Sequence, residues 1–370
     1  MLFRSPVAFA IIIRSPNSWL ITQLFGDRMM IANATGCSSI WSASSPSIAY
    51  TTNSEGRGPA WANSLFEDNA EYGFGMFLGV NQIRERIADL MQMYLEQGEP
   101  SDTVAQAFRH WLDSRDDGEA SKTASADVIK VLSEMDTAGD RILEEILSKR
   151  DFLVKRSIWI MGGDGWAYDI GYGGVDHVLA SGADVNLFVM DTEVYSNTGG
   201  QSSKATPTGA VAKFASAGKR MRKKDLGLMA ISYGNVYVAQ IAMGANMNQT
   251  IKALTEAEEY KGPSLIIAYA PCISHGIRSG MGTSIAEERK AVDSGYWHLY
   301  RYNPDLRKEG KNPFILDSKK PERPYRDFLT GEVRYTQLMN VFPDLAEKLF
   351  EESEVHARER YETYLRLAGQ

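Results

Sequence analysis

The sequence predicts an open α/β sheet, mostly parallel, with helices on both faces and a helical insertion. Three observations predict it. Short, nearly continuous apolar runs recur after residue 155, each followed by a stretch of helical period. Runs of this kind suit strands buried on both faces of a parallel sheet. A glycine-rich turn follows the first of them, and the chain between residues 74 and 150 changes to a sustained helical period.

Taken in order, the first fifteen residues carry Arg4 and a short apolar run, Val7 to Ile13, without a small-residue cleavage site after it. Residues 1–20 are set apart as an atypical segment, and residues 21–370 are read as one domain. Met29 to Ala32 is a buried strand. Residues 38 to 60 are rich in Ser, Thr, Asn, Gly and Pro and contain Trp41 and Tyr50, so they read as an ordered, site-forming loop. Met76, Val80, Ile83, Ile87, Leu90 and Tyr94 predict a first helix, stopped by Gly98 and Pro100. Ser101-Asp102 caps a second, and a third runs from Asp127 to Leu147. This insertion, about 76–150, is read as a helical lid. Strands are expected at Ser157–Met161, Val185–Met190, Leu226–Ser232 and Ser264–Tyr269, with helices at Gly174–Ala180, Val211–Ala217 and Asn248–Tyr260. The tail, about 300–370, ends in a charged amphipathic helix, Pro343 to Leu367.

Composition narrows the function. Apolar residues at 44% and charged residues at 24% suit a globular domain, and a net charge of −7 gives no nucleic-acid footprint. Two cysteines, Cys37 and Cys272, build no disulfide framework and point to a reducing, cytoplasmic setting. No run is long enough to span a membrane.

The strongest motif is Gly162-Gly163-Asp164-Gly165-Trp166, directly after a strand. Glycines let backbone approach a diphosphate, and a helix start offers unpaired N–H groups. A carboxylate inside such a turn repels a bare diphosphate, but makes sense if it holds a divalent metal bridging the phosphates. One crossover later comes Asp191-Thr192-Glu193-Val194-Tyr195-Ser196-Asn197, where the Thr192 hydroxyl and the Val194 carbonyl can complete a Mg²⁺ shell with Asp164.

This pair of elements resembles the thiamine diphosphate fingerprint, with Thr192 at the ligand position usually held by Asn. The wider stretches 163–220, 21–75 and 269–282 resemble pyruvate:ferredoxin (flavodoxin) oxidoreductase, in its carboxyl-terminal portion. The resemblance implies a thiamine-diphosphate-binding fold. Gly163, Asp164, Gly165, Trp166 and the residues from Thr192 to Asn197, Glu193, Tyr195 and Ser196 among them, would line the cofactor. Asp164, Thr192 and Val194 would hold Mg²⁺, and Asn197 would stand near the reacting carbons. Cys37 and Cys272 would supply two thiolates to a [4Fe–4S] cluster, Cys37 lying beside the cofactor. The activity implied is oxidative decarboxylation of pyruvate, with coenzyme A taking the acetyl group and ferredoxin or flavodoxin the electrons. A homodimer is implied for the full-length family.

The family pattern places two further cysteines and a glutamate upstream, where this chain has Phe9, Ile12 and Arg14. The cluster ligand set is therefore incomplete. Two readings stand beside the enzyme: an inactive fragment, or a cofactor-binding subunit that needs missing amino-terminal domains or a separate partner. The loop Gly199 to Thr208 is expected to cover the cofactor. The basic run Lys219 to Lys224 is read as a solvated loop, with steering of an acidic partner as the functional alternative. The histidines, His110, His177, His275, His298 and His356, are expected on the surface or hydrogen-bonded.

Overall fold

The strands line up as β2-β1-β3-β4-β6-β5-β7-β8 in a single eight-stranded sheet. They are β1 Met29–Ala34, β2 Ala60–Ser64, β3 Ser157–Gly163, β4 Asn186–Asp191, β5 Tyr237–Ile241, β6 Ser264–Tyr269, β7 Tyr300–Tyr302 and β8 Phe314–Leu316. The first six pair in parallel, and β7 is reversed, pairing antiparallel with β5 on one side and β8 on the other. The computed structural model describes residues 16–36, 50–97, 100–272 and 276–370. The amino-terminal targeting question, Cys37, most of the Ser-rich loop and His275 lie outside them.

Side chains alternate across the central strands, as period-two geometry requires. Ile158, Ile160, Leu187, Val189, Val238, Leu265 and Ile267 point to one face. Trp159, Met161, Phe188, Met190, Ala239, Ile266 and Ala268 point to the other. Both faces are covered, which explains why these strands read as unbroken apolar runs. The first face is closed by helices α6 (Tyr172–Ala180), α7 (Leu226–Ile231), α11 (Val333–Val341) and α12 (Pro343–Leu367), whose Val175, Val178, Leu226, Leu338, Leu349 and Tyr364 join that core. The second is closed by α1 (Pro16–Phe25) and α8 (Met247–Glu259) through Ile21, Phe25, Ala253 and Leu254.

Between β2 and β3 run α2 (Asn69–Gln97), α3 (Asp102–Ser114), α4 (Ala120–Ser133) and α5 (Arg141–Ser148). The expected third helix is thus two, broken where Asp140 caps α5 by accepting from the Ile142 and Leu143 N–H groups. These helices close a third apolar cluster from Ile87 to Leu153. They are no lid over the motif-bearing strand ends. Lys122 pairs with Asp27, Gly118 lies against Arg28, and Lys261 donates to the Asp116 carbonyl, all at the amino-terminal ends of the strands.

Two expected elements are wrong. Leu226 to Ser232 is helix α7, because Asp225 accepts from the Leu228 N–H and starts a turn; the strand is β5, further on. Val211 to Ala217 is no helix. Ala212 bridges Ala215, and Phe214 sits at φ +66° and is 91% exposed. Among the described residues, no helix is long and apolar enough to cross a membrane.

One buried carboxyl under the sheet's carboxyl-terminal edge makes the fold pH-sensitive. Glu288, on α9 (Ser284–Asp293), is 2% exposed and accepts only from the Gly244 N–H at 2.8 Å. Burial pushes its pKa up to about 8 from 4.5, against the smaller opposing pull of that N–H. The folded state therefore binds the proton more tightly than the unfolded state. Stability is full below the unfolded value and is lost as pH rises through the folded one, at about 1.4 kcal/mol per unit. Denaturant titrations should show Glu288→Gln gaining roughly 3 kcal/mol on the wild-type chain between pH 5 and pH 7.

Candidate cofactor site

The carboxyl-terminal ends of β3, β4 and β6 lie side by side, since β3 pairs with β4 and β4 with β6. In parallel sheets this edge is where loops converge into binding sites. Asp164 follows β3 and is fully buried. Thr192 follows β4. Its Oγ1 lies 2.7 Å from Asp164 Oδ1 and 2.9 Å from the Val194 carbonyl oxygen. Three oxygens predicted to share a cation thus meet around one point. A single hydroxyl proton cannot fully serve both acceptors, so the group is short of positive charge.

The electrostatics agree. Burial raises the Asp164 pKa to about 7, with the Asp191 charge adding to it. Lys223, the cation acting on Asp164, is committed elsewhere: its Nζ stands 2.7 Å from Asp191 Oδ2 and 2.9 Å from Glu193 Oε1. Among the described residues, no ion pair reaches Asp164, and no group of three His, Cys, Asp or Glu side chains forms a metal cage. One carboxylate, one hydroxyl and one carbonyl are a hard-oxygen set of the kind that leaves room for waters or phosphate oxygens.

The glycines have packing reasons as well. A Cβ on Gly165 would stand 2.5 Å from the Tyr195 ring, and one on Gly162 would stand 2.2 Å from the Trp166 ring. Tyr195 in turn tilts against Phe66, with ring centroids 6.1 Å apart. Trp166 packs beneath this turn. Its indole is fully buried in the sheet core, with Nε1 lacking a hydrogen-bond partner, so its side chain is a wedge under the turn. Residues Gly165–Ile170 form a π-helical turn before α6, which the glycine spacing alone did not suggest.

Asn197 is exposed at the rim, where its Nδ2 donates to the Gly36 carbonyl at 3.2 Å, one residue before Cys37. Cys272, after β6, is buried against Val194 and Ala212. The 269–272 segment and the 192–194 turn are therefore neighbours. Ser196 is half-buried beside Asn197.

Sequence reasoning missed Ser203. Its hydroxyl donates to Asp164 Oδ2 at 2.6 Å, and Thr206 Oγ1, beside it, donates to the Glu193 carbonyl at 2.7 Å. The Gly199 to Thr208 loop thus packs onto the turn through buried hydroxyls. The basic run is not a solvated loop throughout. Lys219 donates to the Ser203 carbonyl, Lys223 is the half-buried partner of Asp191 and Glu193 named above, and Lys224 lies 3.2 Å over the Tyr172 ring. Only its Arg220–Arg222 portion stays outside, Met221 being 71% exposed and Arg222 pairing with Glu359. His298 is neither exposed nor hydrogen-bonded: it is 1% exposed, stacks on Tyr361, and neither ring nitrogen has a partner.

Residues 149–268 match the family model described as thiamine pyrophosphate enzyme, C-terminal TPP binding domain. The chain is 60% identical over 356 residues to a pyruvate-flavodoxin oxidoreductase of Klebsiella pneumoniae, covering 96% of this chain and 30% of that protein. It is 58% identical over 359 residues to a pyruvate:ferredoxin oxidoreductase of Moorella thermoacetica, with the same coverage of 96% and 30%. Among solved structures, a 2-oxoglutarate:ferredoxin oxidoreductase from Magnetococcus marinus aligns with a TM-score of 0.39 at 16% identity, covering 91% of this chain and 89% of that one. The chain spans about 30% of the length of the curated relatives it matches.

Proposed function

We propose, from the premise that the chain carries a thiamine pyrophosphate enzyme C-terminal domain and is related over 96% of its length to pyruvate-flavodoxin oxidoreductases, that it holds Mg²⁺ and thiamine diphosphate in a pyruvate oxidoreductase. The observation that carries this reading is the meeting of Asp164 Oδ1, Thr192 Oγ1 and the Val194 carbonyl around one point. The residues fit the group: a buried carboxylate without a contacting cation, hard oxygen partners, and a glycine turn at a strand end.

Asp164 would supply the only charged ligand, Thr192 a neutral one, and Val194 a backbone dipole. Gly163 and Gly165 would bring backbone to the diphosphate. Glu193, Tyr195, Ser196 and Asn197 would border the rest of the cofactor, with Asn197 the polar group nearest the opening. When bound, thiamine diphosphate supplies the nucleophilic carbon and the electron sink for decarboxylating a 2-oxoacid. Pyruvate, coenzyme A and a flavodoxin or ferredoxin acceptor are proposed for the assembled protein, not for this span of it alone. The remaining span, from another segment or subunit, would close the other side of the cofactor.

The iron–sulfur expectation fits less well. A cubane takes four thiolates, and the whole sequence holds two cysteines. Cys272 lies near the metal turn, but these residues alone do not make a cluster site, and no electron-transfer step is derived through one.

Isothermal calorimetry tests the central reading. Titrating thiamine diphosphate into the chain with Mg²⁺ present should release or absorb binding heat, and chelating the metal should abolish it. Absence of heat at millimolar ligand with metal present would sink the reading.

A further inference from the structure

We infer that Glu193 is a positioning residue, clamped by Lys223 and Arg334, whose backbone conformation shapes the Thr192–Val194 metal turn. Thr192 and Val194 flank it. For a side-chain hydroxyl and a carbonyl two residues on to reach the same point, the residue between must reverse the chain. Glu193 does so at φ +62°. This is the left-handed region that a β-carbon disfavours and that glycine enters freely. Gly199 and Gly200, a few residues on, use positive φ without that cost. At 193 the sequence places glutamate instead, so something must hold it there.

The holding groups are buried or, for Lys223, half-buried, and come from distant parts of the chain. Glu193 is 1% exposed. Its Oε1 lies 2.9 Å from Lys223 Nζ, in the segment before α7, and its Oε2 lies 2.7 Å from an Arg334 guanidinium nitrogen on α11. The Tyr296 hydroxyl also donates to Oε2 and stands 2.9 Å from the Tyr335 hydroxyl. The backbone is pinned as well: the Glu193 N–H donates to Asp191 Oδ1 at 3.1 Å, and its carbonyl accepts from Thr206. Side chain and main chain are thus fixed on opposite sides of one strained residue. A carboxylate that served only as a buried ion-pair partner would need no left-handed backbone, and a plain turn would need no carboxylate.

The same anchor ties the turn to the region after β6. Val333 donates to the Gly276 carbonyl, and Arg278 donates to the Gly331 carbonyl, so the strip carrying Arg334 also holds the segment that follows Cys272. Arg334 therefore links two edges of the site without reaching either proposed ligand.

The inference rests on the metal reading above, so its test needs one readout that does not. Crystal structures of the wild-type chain and Arg334→Met give that readout. In the variant, residue 193 should leave positive φ and the distance from Thr192 Oγ1 to the Val194 carbonyl should widen. The second readout is Mn²⁺ affinity in the presence of thiamine diphosphate, followed by the manganese resonance. Arg334→Met should cost about 10–100-fold, the usual loss for a group that orients a metal ligand. In a Glu193→Gly background, where left-handed backbone needs no clamp, the same substitution should cost less than about twofold. A role of Arg334 that does not run through Glu193 would give equal losses in both backgrounds, and that result overturns the inference, as does an unchanged φ in the variant. Lys223→Met carries the same expectations if Arg334→Met does not fold. A wild-type chain that binds no Mn²⁺ removes the metal reading, while the backbone readout still decides the clamp.

Discussion

Asp164→Asn should abolish magnesium-dependent thiamine diphosphate binding while making the cofactor-free chain more stable at alkaline pH. The two effects have one cause. The carboxylate is fully buried, receives only the hydroxyls of Thr192 and Ser203, and touches no cation among the described residues. Burial and the Asp191 charge lift its pKa from 3.8 to about 7. The folded state is penalised for ionising it, at about 1.4 kcal/mol for each pH unit between those values, and the penalty is complete only above pH 7. A divalent cation reverses the balance by making the charged form the useful one. Asparagine keeps the shape, removes the charge and turns one acceptor into a donor towards Ser203. Calorimetry should show affinity falling by more than about 100-fold, beyond the loss typical of an outer-shell partner. Thermal melts without metal should place the variant above the wild-type chain at pH 8, with the gap closing towards pH 5. If the variant retains Mg²⁺-dependent binding, Asp164 is not the metal carboxylate.

That coupling explains why the site was legible in the sequence. Gly163-Asp164-Gly165 alone is often just a turn, and it reads as a ligand pattern only together with the Asp191–Asn197 element after the next strand. Its partners one crossover on follow from parallel topology. The apolar strands were legible for a related reason: both faces of β3, β4 and β6 are covered, so the side chains between their polar ends are apolar. The same reasoning failed where apolar runs were short. Leu226 to Ile231 satisfies a buried-strand pattern equally well, and only the Asp225 cap decides for helix. The true strand, β5, hid behind Gln240, whose side-chain amide donates to the His298 carbonyl just before the neighbouring β7. Ser203, Lys223 and Arg334 were not legible as site residues. Each meets the turn only through a long-range fold, and a lysine inside a basic run reads as surface until its carboxylate partners are placed.

The opposite end of the sheet carries the second large effect. Glu258, near the end of α8, is 9% exposed and gathers the starts of three strands. Its Oε1 accepts from Arg28, just before β1, at 2.7 Å. Its Oε2 accepts from Ser157, which opens β3, at 2.6 Å, and from Asn186, which opens β4, at 3.0 Å. Arg28 is itself 5% exposed, and its more distant acidic neighbour, Glu119, is on the surface at 3.9 Å. Removing the carboxylate therefore strands a buried guanidinium, a cost of about 3–5 kcal/mol, whereas replacing both partners by apolar groups is often nearly neutral. Denaturant titration should show the unfolding free energy of Glu258→Ala lowered by that amount, and Arg28→Met combined with Glu258→Leu should recover most of it. Because the pair sits where the strands begin, and Asp164 and Thr192 sit where they end, the double variant should keep wild-type affinity for Mg²⁺ and thiamine diphosphate. A double variant as unstable as Glu258→Ala would mean that the hydrogen bonds to Ser157 and Asn186, rather than the stranded charge, set the cost.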